Sequence, residues 1–166
     1  MKKALLMSTA VVVAIGAAGA GAMYVVDGQI DNAVSQLKSQ VPAPMTVDIV
    51  SDNSTFLDRQ LVLKLGLEVE GESVYVLLNN DIQKRPWGTS IEHALTLDPS
   101  LIEMVEDEQA AAFLSTNFIN SPMLAGHTSV SMMGSYQSNL ASFSVNEPLG
   151  DVNVVFTPWT IQANGN

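Results

Sequence analysis

Residues 61–79 run Leu61-Val62-Leu63-Lys64-Leu65-Gly66-Leu67-Glu68-Val69, then Glu70-Gly71-Glu72, then Ser73-Val74-Tyr75-Val76-Leu77-Leu78-Asn79. Leu61, Leu63, Leu65, Leu67 and Val69 alternate with Val62, Lys64, Gly66 and Glu68, a period of two that sends successive side chains to opposite faces of a strand. Glu70-Gly71-Glu72 breaks the pattern, and Ser73 to Asn79, rich in Val, Tyr and Leu, reads as the returning strand of a hairpin.

Downstream, Pro86-Trp87-Gly88 interrupts the chain and Ile91 to Leu97 reads as a third strand. Asp98-Pro99 supplies an N-cap and a proline at the first helical position. Glu106-Asp107-Glu108 suits the start of a second helix, where acidic groups meet the positive end of the dipole, and Ala110, Phe113, Leu114, Asn117 and Phe118 follow at three-and-four spacing. Helix formation is expected to end near Ser121-Pro122. Strand character returns at Thr128 to Met133, Tyr136 to Val145 and Val152 to Phe156, punctuated by Gly134, Pro148, Gly150 and Pro158. The order predicts an α+β fold, an antiparallel sheet with helices packed on one face.

Upstream, Met1-Lys2-Lys3 is a short basic head, and residues 4–26 are apolar apart from Ser8 and Thr9, with no charge before Asp27. About 20 apolar residues span a bilayer as a helix. Ala20-Gly21-Ala22 is also an acceptable signal-peptide cleavage site. The uncleaved anchor is the favoured reading, because the apolar run continues through Met23, Tyr24, Val25 and Val26 instead of turning polar. Lys2 and Lys3 before the run, with Asp27 and Asp31 after it, place the bulk of the chain outside the cytoplasm under the positive-inside rule. The expected location is the bacterial inner membrane, single pass, with the C-terminal part in the periplasm. Gly16, Gly19 and Ala20 belong to a small-residue cluster that lets two such helices approach closely, which makes a homo-oligomer one reading and a signal-peptide c-region the other.

Val26, Ile30, Ala33, Val34, Leu37 and Val41 recur at helical spacing, so the anchor is expected to continue into an amphipathic stalk ended by Pro42 and Pro44. Its apolar stripe requires a partner, either the domain below or a second copy. The expected organisation is residues 1–26 anchor, 27–44 stalk and linker, and 45–166 a periplasmic α+β domain.

The chain has 166 residues and a formal charge of −10. Beyond the leader, 5 basic residues face 17 acidic ones. Nucleic acid and anionic lipid surfaces are poor partners for such a balance, since both require clustered Lys and Arg. With no cysteine, the chain has no disulfide, no thiol nucleophile and no acylated N-terminal cysteine.

The junction at Met23 to Gln40, the strand at Phe56 to Leu67, the Ser90 to Leu97 strand running into helices, and the segment from Ser121-Pro122-Met123-Leu124 through Gly134-Ser135 to Pro148-Leu149 resemble the N-terminal portion of the YdgA-like family of bacterial envelope proteins. That family's domain has no established function. Members usually carry a His-Gly-Pro-Phe-like motif where this chain has Lys84-Arg85-Pro86-Trp87-Gly88, and they are typically much longer. The resemblance implies an inner-membrane-anchored periplasmic protein and supplies no catalytic residue.

The residues offer little chemistry. His93 shares a strand face with Ile91, Leu95 and Leu97, which suits a buried histidine with a hydrogen-bond partner better than a metal ligand. Glu103, Glu106, Asp107 and Glu108 fit a solvated helix start better than a calcium loop. Gly-x-Ser-x-Gly, Ser-x-x-Lys and glycine-rich phosphate loops are all missing, so neither catalysis nor a cofactor is expected. Met104, Met123, Leu124, Met132 and Met133 suit either core filling or an adaptable groove. Lys84, Arg85 and Trp87 form the most distinctive feature, with cations beside a tryptophan in a loop; they are the candidate contact for a partner or an anionic headgroup, and the competing and favoured reading is a tryptophan that caps the sheet's core. Two functions are carried forward: a non-enzymatic binding or scaffold module of the envelope, and a carrier of a lipid or other apolar ligand.

Overall fold

The structure is a computed structural model that describes residues 23–69 and 72–165. Its centre is a seven-stranded antiparallel sheet of β1 (Met45–Ser54), β2 (Asp58–Val69), β3 (Glu72–Arg85), β4 (Gly88–Leu97), β5 (Leu124–Ser131), β6 (Tyr136–Ser142) and β9 (Thr160–Gly165), neighbours in that order. The expected hairpin is present as β2–β3, paired from Asp58↔Gln83 to Val69↔Glu72. The returning strand runs beyond Asn79 to Arg85, because Asn80 and Lys84 find partners on the buried side.

Strand parity fixes that buried side. Leu61, Leu63 and Leu65 of β2 face Asn80, Leu78 and Val76 of β3, and the row continues to His93, Leu95 and Leu97 of β4. The other side of β2 carries Val62, Lys64 and Gly66, and Lys64 there pairs with Asp98 at 2.7 Å.

Helix α1 (Met23–Gln40) lies on the buried side. Val26, Ile30 and Val34 join Leu61, Leu63, Leu78, Ile82 and Ile91 in one core, with Leu37 and Val41 packed against it. The stripe expected of a stalk therefore finds its partner in the sheet, and residues 27–40 belong to the body of the domain. Val26, the last residue of the apolar run, is committed to this core. Among the described residues no helix is long and apolar enough to cross a membrane; nearly all of the apolar run lies outside them.

Between β4 and β5 the chain makes a helical excursion. Asp98 caps a short 3-10 helix, Pro99–Met104, by accepting from the Ser100 amide. Asp107 caps α2 (Glu108–Leu114) by accepting from Gln109 and Ala110. Both helix starts stand where expected, at the Asp98 cap and within the acidic run 106–108, in which Asp107 proves to be the cap. Phe113 and Phe118 then meet Phe143 and Phe156 in an aromatic row. The expected strand Tyr136 to Val145 is divided at Phe143, where the chain leaves the sheet. It forms the separate hairpin β7 (Val145–Leu149) and β8 (Val152–Phe156) before returning as β9 beside β6.

Candidate functional site

Three turns and the start of α1 meet at one end of the sheet. The β1–β2 turn (55–57), the β3–β4 turn (86–87) and the β5–β6 turn (132–135) all fall there by antiparallel alternation. The Leu57 carbonyl accepts from the Lys84 amide at 2.6 Å, and the Trp87 carbonyl accepts from the Met132 amide at 3.1 Å. Gly134 takes a positive φ of 89° to close the third turn, a conformation glycine adopts without Cβ strain. The helix begins at this end too, since Asp27 reaches Ser54 and Lys84, each within three residues of a turn.

A buried charge clamp locks the helix in place. The Lys84 side chain is only 1% exposed. Its Nζ donates to Asp27 Oδ2 at 2.9 Å, to Ser54 Oγ at 3.1 Å and to the Thr55 carbonyl. Arg59, also enclosed, forks onto Asp52 through Nε at 2.9 Å and Nη2 at 2.7 Å. The same Nη2 donates to Asp31 at 2.6 Å, and Nη1 donates to the Asp27 carbonyl at 3.2 Å. Burial opposes ionisation of Asp27, but the Lys84 ammonium, the Arg59 charge and the Ser54 hydroxyl outweigh it and hold the carboxyl below its ordinary range. Burial likewise opposes the charge on Arg59, and its hydrogen bonds to Asp52 and Asp31 override that, so the guanidinium is held above its ordinary value.

The candidate contact residues thus divide. Lys84 points into the protein and is spent on the clamp, which removes it as a surface cation. Arg85 braces the turns, with Nη1 donating to the carbonyls of Lys84 at 2.9 Å and Leu57 at 3.2 Å and standing 3.5 Å from Asp58. Trp87 is 73% exposed and stands out from the turn. Beside it, Arg85, Trp87, Thr89, Ser131, Tyr136 and Gln137 border an open cleft of about 390 Å³. Gly16, Gly19 and Ala20 lie outside the described residues.

Farther along the same face runs a neutral ladder. His93 Nδ1 stands 2.8 Å from Asn80 Oδ1 and Nε2 2.9 Å from Thr128 Oγ1, which is 2.9 Å from Ser138 Oγ. Asn80 Nδ2 donates to the Leu61 carbonyl at 3.2 Å. Strand register brings these four together, since Asn80 faces His93 and Thr128 faces Ser138. Gly126 faces His93, and a Cβ there would stand 2.2 Å from the Asn139 carbonyl, so β5 and β6 approach closely at that point. Burial, with the charge of His127 adding to it, pushes the His93 imidazole down to about 4. His93 is the buried, partnered histidine its strand face implied, while His127 sits on the outer side 2.8 Å from Glu92.

The methionines do not line one groove. Leu124 and Met123 serve the core at the start of β5, whereas Met132 and Met133 are exposed at its far end. Among the described residues no three His, Asp or Glu side chains converge to hold a metal ion. A second open cleft, of about 520 Å³, lies between α2 and the β7–β8 hairpin, bordered by Phe113, Glu147 and Gly150.

The clamp carboxylates escaped sequence reading, although parity signalled the need for them. Arg59 is in phase with Leu61, Leu63 and Leu65, and Lys84 with Leu78 and Ile82. A cation in register with a core row must be met by a carboxylate. Comparison of the chain with protein-family models, with curated proteins and with solved structures finds no match.

Proposed function

We propose that this chain is a membrane-anchored envelope protein whose domain works by binding, as a scaffold or adaptor held close to the inner membrane on the periplasmic side. One observation carries the reading: the apolar run of residues 4–26 passes directly into a helix whose first turns are clamped to the sheet by Asp27, Lys84 and Arg59. A domain joined to its anchor by a flexible tether would not need buried ion pairs at the junction. Here the clamp fixes α1 against the sheet from Val26 onward, a property suited to an anchored domain that presents a surface at a set distance from a bilayer. The resemblance to the YdgA-like envelope proteins points the same way, and association through Gly16, Gly19 and Ala20 would pair two copies.

A binding role also suits the polar residues. His93 has both ring nitrogens engaged inside the core, which leaves it no lone pair or proton to offer a substrate. The carrier reading gains less, because the space between α1 and the sheet is filled by Ile30, Leu61, Leu63 and Leu78, all fully buried.

The test is fractionation of bacteria producing the full chain, with intact-mass measurement and protease digestion of spheroplasts. The expected result is an unprocessed chain that resists alkaline extraction from the membrane and is digested only when the outer membrane is opened. An intact mass lacking the first 22 residues, or a chain recovered in the soluble fraction, would overturn the anchored reading.

A further inference from the structure

The three turns beside the start of α1 carry an unusual set of residues. Turns in water-facing hairpins are built from Gly, Pro, Asn, Asp and Ser. Here the first presents Phe56 and Leu57, the second Trp87, and the third Met132 and Met133. Phe56 is 60% exposed, Met132 63% and Met133 97%. Single exposed apolar side chains are common, but apolar tips on three neighbouring turns joined by backbone hydrogen bonds form a continuous rim.

The position of the rim says what covers it. Helix α1 runs from this end of the sheet to the other, since Asp27 bonds to Ser54 and Lys84 while the Pro42 carbonyl accepts from Met45 where β1 begins opposite Leu67. The apolar run therefore joins the domain at the rim. From Met23 to Asp27 a helix rises only about 6 Å, so a bilayer entered just before Met23 would lie within reach of the turns. Tryptophan favours that zone, because its ring is apolar and its indole N–H finds water or headgroups.

Charge selects the kind of surface. Lys84 and Arg59 are consumed by the clamp, Arg85 stands by Asp58, and Asp27, Asp31 and Asp52 remain partly exposed behind the rim. With no free basic cluster among the described residues at this end, attraction to anionic headgroups is weak, and contact depends on apolar insertion.

We propose that the rim formed by Phe56, Leu57, Trp87, Met132 and Met133 rests in the interfacial layer of the phospholipid bilayer that residues 4–22 enter, so that the sheet stands end-on to the membrane. This rests on the anchored reading above. It turns the anchor and the turns into one two-point attachment, leaving the opposite end of the sheet, where β1 begins and β4 ends, to face away from the lipid.

Because the chain has no cysteine, single labels can be placed cleanly. The full-length variants M133C, at the rim, and S73C, at the exposed far end of β3, would each carry an environment-sensitive fluorophore and be reconstituted into phosphatidylcholine vesicles. The expected result is flotation of both with the vesicles, and for M133C alone a blue-shifted emission quenched by acyl-chain spin labels and unaffected by high salt. Flotation with M133C as solvent-accessible as S73C would overturn the contact and leave the anchor standing. Equal lipid quenching at both positions would overturn the end-on orientation. Shielding of M133C from aqueous quenchers without lipid quenching would mean that protein, not lipid, covers the rim, and would also overturn the proposal. Failure of the chain to float would overturn the contact together with the anchored reading. In the unlabelled chain, W87F should remove most of the lipid-quenchable tryptophan emission, because Trp159 packs against the core.

Discussion

The ladder from Asn80 through His93 and Thr128 to Ser138 and the clamp of Arg59, Lys84 and Asp27 share one face of the sheet, yet they bury polarity on opposite terms. The ladder is neutral, closed and made only of neighbouring strands, each member donating to or accepting from the next. The clamp is ionic, joins helix to strands across 57 positions between Asp27 and Lys84, and has carboxylates partly open to water while its cations are enclosed. Neutral groups tolerate burial once each is hydrogen-bonded, whereas a buried cation persists only if acceptors converge on it. The ladder thus specifies which strands pair, and the clamp specifies where the helix docks.

The largest difference should follow removal of an anion from the clamp. D27A leaves the Lys84 ammonium buried with, among the described residues, Ser54 and Thr55 to accept from it, at a cost of about 3 kcal/mol, the low end for an uncompensated buried charge. Urea unfolding would read this as a lower midpoint, and proteolysis should nick the first turns of α1 before the sheet. Unchanged stability and an unchanged cleavage pattern would mean that the Asp27 carboxylate adds nothing to docking, and that Arg59 with Asp31 and apolar packing hold the helix.

Acid should break the ladder before it breaks the clamp. His93 titrates near 4 in the fold and near 6.5 when unfolded, so the unfolded chain takes up a proton that the native chain refuses. Stability is therefore complete above about pH 6.5 and falls as pH drops toward 4, with about 2 kcal/mol lost between pH 7 and pH 5. In the clamp, Asp27 responds lower, since its burial is outweighed by Lys84, Arg59 and Ser54, which hold its carboxyl below the ordinary range, and Asp98 on the outer side of the sheet does the same. Asp98, its burial outweighed by hydrogen bonds from Lys64 and Ser100, titrates at about 2 against an ordinary 3.8, and its contribution disappears only as pH falls through that interval. A pH series of urea midpoints for the parent and H93Q checks the order: the parent should slope between pH 6.5 and 4, and the variant should be flat there.

Much of this fold is legible in the chain, and the losses have physical causes. The β2–β3 hairpin, β4, β8 and both capped helix starts could be read because alternation and caps act locally. The two edge strands could not. In β1 the exposed polar residues Asp48, Asp52 and Asn53 mix with exposed Ile49 and Val50, and an edge strand with one partner shows weak alternation. In β9 the segment Thr160–Gly165 has Ile161 as its one large apolar residue. Of the candidate site, Trp87 could be read as an exposed contact or as a cap on the core, and Lys84 as buried only by extending the parity of Leu78 and Ile82 past Asn79. Its neighbour Arg85 and the adjoining Pro86 resemble a basic loop, whereas pairing of Lys84 with Thr89 across the hairpin places it on the core side.

The smallest effect should come from removing the clamp's cation in place of its anion. K84M keeps a side chain of similar length in the same enclosed site and deletes the ammonium. Asp27 is then left with Arg59 and Ser54, and its side chain, 40% exposed, can turn to water. Removing one partner of a buried ion pair is costly when it leaves the other charge enclosed; because Asp27 can reach water, K84M should change stability by less than about 1 kcal/mol. The two substitutions break the same ion pair, and only D27A strands a buried charge. If urea midpoints for K84M fell as far as those for D27A, the ion pair itself would be stabilising. A small effect of K84M beside a large one of D27A would show that the clamp's value lies in fixing where α1 docks, with the Lys84 charge tolerated at that site because Asp27 answers it.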